Sequence, residues 1–230
     1  MLKQPIKSLP LVVIALLPLM AQAELSANIG LVSNYKFRGQ DQDSSKSAAV
    51  KPALQGGFDY ASSNGFYIGN WNSSVNWLGG NSLEMDVYGG YKGAISEGLG
   101  YDLGIITYSY PGSSAGNTTE LYAGLSYGAF SAKYSQTVSS DYFAYGSKAG
   151  YLNLAYAQEI GKGLTLKASI GRTHFQDAIT SPDFTDYSLG VTYGLASGYA
   201  LGATAMGANQ QTSYGSNNNN RLVLSISKAL

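Results

Sequence analysis

The sequence contains no cysteine, which removes disulfide frameworks and thiolate metal centres together. Charge is scarce as well: Asp, Glu, Lys and Arg make up 12% of the 230 residues and cancel to a formal net charge of +0. A nucleic-acid partner needs a concentrated basic face, so none is expected from this balance. There is one histidine, His174, and no Walker or dinucleotide pattern. Long apolar runs are missing too. The longest uncharged stretch, residues 187–220, is interrupted throughout by Gly, Ser, Thr and Asn and does not read as a membrane-spanning helix.

What is present is glycine and tyrosine, 29 and 19 residues respectively. Mean hydropathy is −0.07 despite the low charge. A soluble domain normally carries roughly twice this charged fraction. Outer-membrane barrels have this profile, with a weak signal spread over many short strands.

Residues 1–23 read as an address. Lys3 and Lys7 precede an apolar run over residues 9–20, and Ala21-Gln22-Ala23 has the small-x-small form that signal peptidase cuts. The run is too short for a spanning helix and holds Pro10 and Pro18. A cleaved signal peptide is therefore expected, followed by a single barrel domain over residues 24–230.

Along that remainder the hydrophobic period is two. Leu25, Ala27, Ile29, Leu31, Tyr35 and Phe37 share one parity, against Ser26, Asn28, Asn34, Lys36 and Arg38 on the other. Leu83, Met85, Val87 and Tyr91 likewise oppose Glu84, Asp86 and Lys92. The same alternation predicts strands at 25–38, 47–60, 65–75, 82–92, 100–110, 118–127, 130–137, 150–158, 163–174, 186–193, 199–206 and 221–230. The expectation is an all-β, transmembrane, antiparallel up-and-down barrel of about twelve strands. Pro52 and the run Ile105-Ile106-Thr107 interrupt the pattern and are expected to mark bulges, and strand three puts Phe66 and Ile68 on the inward parity.

Connections sort by parity. The even ones are mostly tight, whereas residues 39–46, 138–149, 175–185 and 207–220 are longer and polar and all fall at one end. Aromatics on the apolar parity cluster towards the ends. Phe58, Tyr60, Tyr67, Tyr91, Tyr101, Tyr127, Phe130, Tyr156, Tyr193 and Tyr199 fall near the short turns, and Tyr35, Phe37, Trp71, Tyr134 and Tyr187 near the long loops. Two ringed girdles around an aliphatic belt suit a lipid-facing wall. The only charges on that parity, Arg172 and Lys228, lie near strand ends.

The opening Ser33-Asn34-Tyr35-Lys36-Phe37-Arg38-Gly39-Gln40, just after a signal-like segment, resembles the TorF-like family of proteobacterial porins. The resemblance covers the chain in layout, with a specific motif only in the first strand. It implies an outer-membrane barrel with a porin role.

By parity the interior receives Lys36, Arg38, Lys51, Asp59, Glu84, Asp86, Lys92, Asp102, Glu120, Lys133, Lys167, Asp186 and Arg221. Two readings stand side by side: a wet pore lined by both signs of charge, or a lumen closed by ion pairs among these groups. Lys36 and Arg38 are placed near the outer mouth. There they either attract anionic solutes or pair with Asp41, Asp43 or an acid of a neighbouring strand. His174 falls on the lipid-facing parity, with Asp177 and Asp183 in the following loop, so a catalytic role is not expected. Asp41-Gln42-Asp43 opens like a calcium loop, but Lys46 stands at the glycine position and Pro52 at the bidentate acid, so no metal is expected. No cofactor is expected either. The partners expected are outer-membrane lipid and lipopolysaccharide and small polar solutes, with the chain a monomer. A surface-contact barrel that does not conduct is the alternative.

Overall fold

The computed structural model describes residues 24–45, 50–177 and 179–230. The expected signal segment, residues 1–23, lies outside them. The strands are β1 (Glu24–Val32), β2 (Lys36–Phe37), β3 (Gln40–Asp41), β4 (Ala53–Ala61), β5 (Phe66–Ser74), β6 (Leu83–Ser96), β7 (Leu99–Ser109), β8 (Thr118–Tyr127), β9 (Phe130–Thr137), β10 (Ala149–Gly161), β11 (Leu164–Phe175), β12 (Phe184–Gly194), β13 (Tyr199–Ala208) and β14 (Arg221–Ala229). Twelve of them form one closed barrel in sequence order, each antiparallel to its neighbours, with β1 paired to both β4 and β14. The remaining two, β2 and β3, make a separate hairpin. No helix among the described residues is long and apolar enough to cross a membrane.

The period-two pattern explains the wall. On β6, Leu83, Met85 and Val87 are exposed on the outside while Glu84 and Asp86 are buried. On β14, Leu222, Leu224 and Ile226 face out and Val223 faces in. An exposed band of aliphatics around a closed sheet with a charged interior inverts the usual rule for a soluble domain. Closure leaves no unpaired strand edge in the band.

The two ends differ as the connection lengths predicted. At one end the turns are tight. β8 and β9 are joined by Gly128-Ala129, with Tyr127 opposite Phe130 and Gly128 at φ +57, the left-handed conformation a two-residue hairpin turn requires. At the other end lie residues 33–45, 50–52, 75–82, 110–117, 138–148, 176–177, 179–183 and 209–220.

Four expectations need correction. The first strand ends at Val32 rather than continuing to residue 38, so Tyr35 and Phe37 turn into the barrel instead of facing lipid. The third strand has the opposite phase: Phe66 and Ile68 are 59% and 56% exposed on the outside, whereas Trp71 is buried and Tyr67 reaches the interior Asp102. Pro52 precedes the first laddered residue of β4, Ala53, so it removes no ladder bond. Finally, Ile105, Ile106 and Thr107 keep an unbroken register with β6 and β8. The register shifts instead fall at Ala94/Ser96 and Glu159/Gly161, by the short turns.

Candidate functional site: the barrel interior

The interior divides into two levels. Towards the long loops it is filled by the segment after β1, residues 33–45, which folds back into the lumen. Its hairpin pairs Lys36 with Asp41 and Phe37 with Gln40 across an Arg38-Gly39 turn, both central residues having positive φ (47° and 75°). Glycine is required at the second position. A Cβ on Gly39 would stand 2.4 Å from the Gly207 carbonyl oxygen and 2.7 Å from the Asp186 Cβ, so the turn is pressed against β12 and β13. Backbone bonds Gln42 N–H to Tyr35 O, Ser44 N–H to Asn76 O and Asn76 N–H to Gln42 O tie the segment to itself and to the β5–β6 connection.

Side chains then lock it in place. Arg38 donates to both carboxylate oxygens of Glu120 on β8, Nη1 at 2.8 Å and Nη2 at 2.7 Å. Its guanidinium carbon stands 4.0 Å from the centre of the Tyr151 ring and 4.8 Å from that of Phe37. Asp41 takes two cations, Lys36 at 2.9 Å and Arg221 at 2.6 Å. Lys36 also donates to the Asn217 carbonyl, and Lys51 to that of Asp43. Tyr35 and Tyr110 each donate to Glu84, at 2.8 and 2.9 Å. Around these pairs Phe37, Tyr108, Tyr110, Tyr142, Phe143, Phe175 and Phe184 form an aromatic core, with edge-to-face contacts such as Phe37–Tyr108 at 5.4 Å. The β9–β10 loop contributes Tyr142 and Phe143, and the short helices of the β13–β14 loop contribute Tyr214 and the buried Asn218.

Towards the short turns the interior is polar, and its lysines are half-buried. Asp102, Lys92 and Lys133 face inward with Tyr67 and Tyr122. Lys167 shares the inward parity with the buried Thr173. The connections at this end, residues 62–65, 97–98, 128–129, 162–163 and 195–198, are too short to reach into the lumen.

The expected interior residues thus sit at two levels. Lys36, Arg38, Lys51, Glu84, Asp86, Glu120, Asp186 and Arg221 occupy the filled level, and Asp102, Lys133 and Lys167 the other. One placement changes: Lys36 and Arg38 belong to the inserted hairpin, not to a wall strand, and both are consumed in ion pairs. Sequence reasoning missed Tyr142 and Phe143, because loop aromatics carry no periodicity, and Tyr151 of β10, because only charges were followed on the inward parity. It also missed the interior roles of Tyr35, Tyr67 and Trp71, which it placed in the girdles.

His174 lies outside the barrel, its Nδ1 2.6 Å from Asp183 Oδ2, and Arg172 lies 3.2 Å from the same carboxylate. Partial burial works to raise the Asp183 pKa, but hydrogen bonds from His174 and the Phe175 amide, with the Arg172 charge, hold it below the usual carboxylate range. Among the described residues no hydroxyl bonds the His174 ring, and no group of acids, His or Cys is arranged to hold a metal ion.

A family model described as "Bacterial protein of unknown function (Gcw_chp)" matches residues 20–229, and the chain belongs to that family. No curated protein matches it. Among solved structures the chain is similar to the NanC porin, at 14% identity and TM-score 0.60 over 90% of this chain and 98% of that one. It is also similar to the KdgM porin, at 10% identity and TM-score 0.58 over 88% and 98%. The KdgM porin in complex with disordered oligogalacturonate gives 10% identity and TM-score 0.56 over 89% and 97%. At such identities the likeness shows the fold, that of the porin barrels. The porin resemblance drawn from residues 33–40 is met at that level, under a different family name.

Proposed function

We propose that this member of the Gcw_chp family is a narrow outer-membrane channel for passive diffusion of small polar or ionic solutes, stoppered on its outer side by the β2–β3 hairpin. The observation that carries this reading is the contrast between the two interior levels. A wall whose inner face keeps Lys92, Lys133 and Lys167 half-buried and outside any ion pair is built for water and solute. A barrel meant only as a scaffold gains nothing from charge there, since an isolated charge in a dry interior is costly. The exposed aliphatic band and the ringed short-turn end fit a bilayer, with that end in the periplasm, the long loops outside, and lipid and lipopolysaccharide against the wall. Residues 1–23 direct export and are then removed as a signal peptide, and the chain acts alone, without cofactor, metal or nucleic acid. The Asp183-held His174 faces outward with no nucleophile bonded to it, which favours transport over catalysis.

One observation favours a second reading, a barrel that does not conduct: Lys36, Arg38, Lys51 and Arg221 each have an anionic or carbonyl partner, and aromatic rings pack around them. Planar-bilayer recording on refolded protein separates the two. The channel reading expects discrete open steps, rare or small in the unmodified chain and larger after Arg38→Ala. A folded barrel that stays silent in both forms overturns it.

A further inference from the structure

Three inward lysines have no acid. Among the described residues no carboxylate oxygen lies within the 4.0 Å ion-pair distance of Lys92, Lys133 or Lys167, whereas Lys36, Arg38 and Arg221 are all paired. Acids are not lacking nearby. Lys92 stands directly opposite Asp102 in the β6–β7 register. However, Asp102 accepts the Tyr67 hydroxyl, and Asp59 accepts the Tyr88 hydroxyl. Tyrosine has taken the place of lysine at each carboxylate.

The displaced lysines lie over the rings instead. Lys92 Nζ is 4.4 Å from the Tyr67 ring centre and Lys133 Nζ is 3.6 Å from that of Tyr122, and the two tyrosine hydroxyls meet each other. A ring face steadies an ammonium group but does not take up its three N–H donors. Between the lysines the register runs Lys92, Asp102, Gly124, Lys133 across four adjacent strands. Gly124 brings no side chain to that stretch of the wall. With strands about 4.8 Å apart, the two lysine backbones stand on the order of 14 Å apart along the wall. Each ammonium stands on a flexible four-carbon stem, so the two can close on a small molecule bearing two or three negative groups, one end held by each.

We propose that this stretch of the inner wall binds small multiply charged carboxylate anions reached from the short-turn end, with Lys92 and Lys133 as the two anchors and Lys167 adding to the field. The proposal names the solute class for the channel reading and rests on it. It also moves the anion attraction expected of Lys36 and Arg38 from the outer mouth to the inner half.

The test is isothermal titration of the refolded full chain in detergent at low ionic strength, with citrate as the probe and uncharged sorbitol as the control. Saturable citrate binding is expected, with none for sorbitol, weakening at least about ten-fold in Lys92→Gln/Lys133→Gln, because both point charges are removed. Lys228→Gln, on the outer face, should leave it unchanged. Equal affinity in the double variant, or equal binding of sorbitol, overturns the site. Should the double variant not fold, carbon-13 methylation of the lysines in the unmutated protein gives the same answer. Citrate should move signals assigned by single substitutions to Lys92 and Lys133, and movement confined to outer-face lysines overturns the site. The two readings fail separately. A barrel that binds citrate this way yet stays silent in bilayers loses the channel and keeps the site, and a conducting barrel indifferent to Lys92 and Lys133 loses only the site.

Discussion

Arg38 and Glu120, 82 residues apart in the chain, close a two-pronged ion pair inside the lumen. One partner stands at the tip of a hairpin turn and the other on a wall strand, so the pair joins the stopper to the barrel. Breaking such a buried pair from one side leaves a charge without a partner and typically costs about 3–5 kcal/mol, whereas replacing both partners by apolar residues is often neutral. Arg38→Ala should therefore release the hairpin, while Arg38→Met/Glu120→Leu should keep it seated. Amide hydrogen exchange over residues 35–42 reads this out, and equal protection in the two variants would contradict it.

Gly39 makes a sharper prediction about the same element. Its φ of +75° and the Gly207 carbonyl 2.4 Å from a would-be Cβ leave no room for a side chain. Gly39→Ala should destabilise the seated hairpin by at least about 1–2 kcal/mol from the left-handed backbone alone, with the wall contact adding to it. Barrel unfolding in urea should be little changed while exchange over residues 35–42 rises. A loss confined to the barrel transition would argue against the assignment.

On the outside of β5, Asn70 and Asn72 share hydrogen bonds and also donate to the carbonyls of Asp86 and Gly56. Removing one amide strands its partner in lipid, at a cost of about 1–3 kcal/mol; removing both does not. Asn72→Leu should thus lower barrel stability in detergent, and Asn70→Leu/Asn72→Leu should restore or exceed it. Additive losses in the double variant would refute the pairing.

The Asp183 clamp predicts a pH dependence. Its carboxyl is held below the usual carboxylate range, so its stabilisation is complete above the unfolded value of about 4 and fades as pH falls through the lower folded value. The Phe175 amide, bonded to Asp183 Oδ1 at 2.9 Å, is the reporter. Its NMR shift should move as pH falls below about 4 and show no such step in Asp183→Asn. A step near neutral pH would point to another group.

The wall was legible in the sequence because a two-residue period is local. Glu84 and Asp86 against Met85 and Val87 determine which face of β6 meets lipid without reference to any other strand. β5 misled for the same reason. Its apolar residues are split between the parities, and its outward row ends in Asn70, Asn72 and Ser74, which only their mutual bonds and backbone partners make tolerable in lipid. The hairpin was hidden because alternation runs on through Tyr35, Lys36, Phe37 and Arg38 as though the strand continued. Only Gly39 marks the turn, and partners such as Glu120 and Arg221 are too distant in sequence for any local pattern to join. Of the expected partners, Asp41 does hold Lys36, but Arg38 reaches past every neighbouring strand to Glu120 on β8.

The inward turn of Tyr35, Phe37 and Trp71 has a mechanical consequence. Those rings leave the outer rim with Tyr134 and Tyr187 as its lipid-facing aromatics from the expected set, against Phe58, Phe66, Tyr127, Phe130, Tyr193 and others at the opposite rim. Interfacial rings fix depth in a bilayer. On the proposed placement the barrel is expected to be moored at the leaflet beside its short turns and held more loosely in the other, so that a change in membrane thickness is absorbed on the long-loop side.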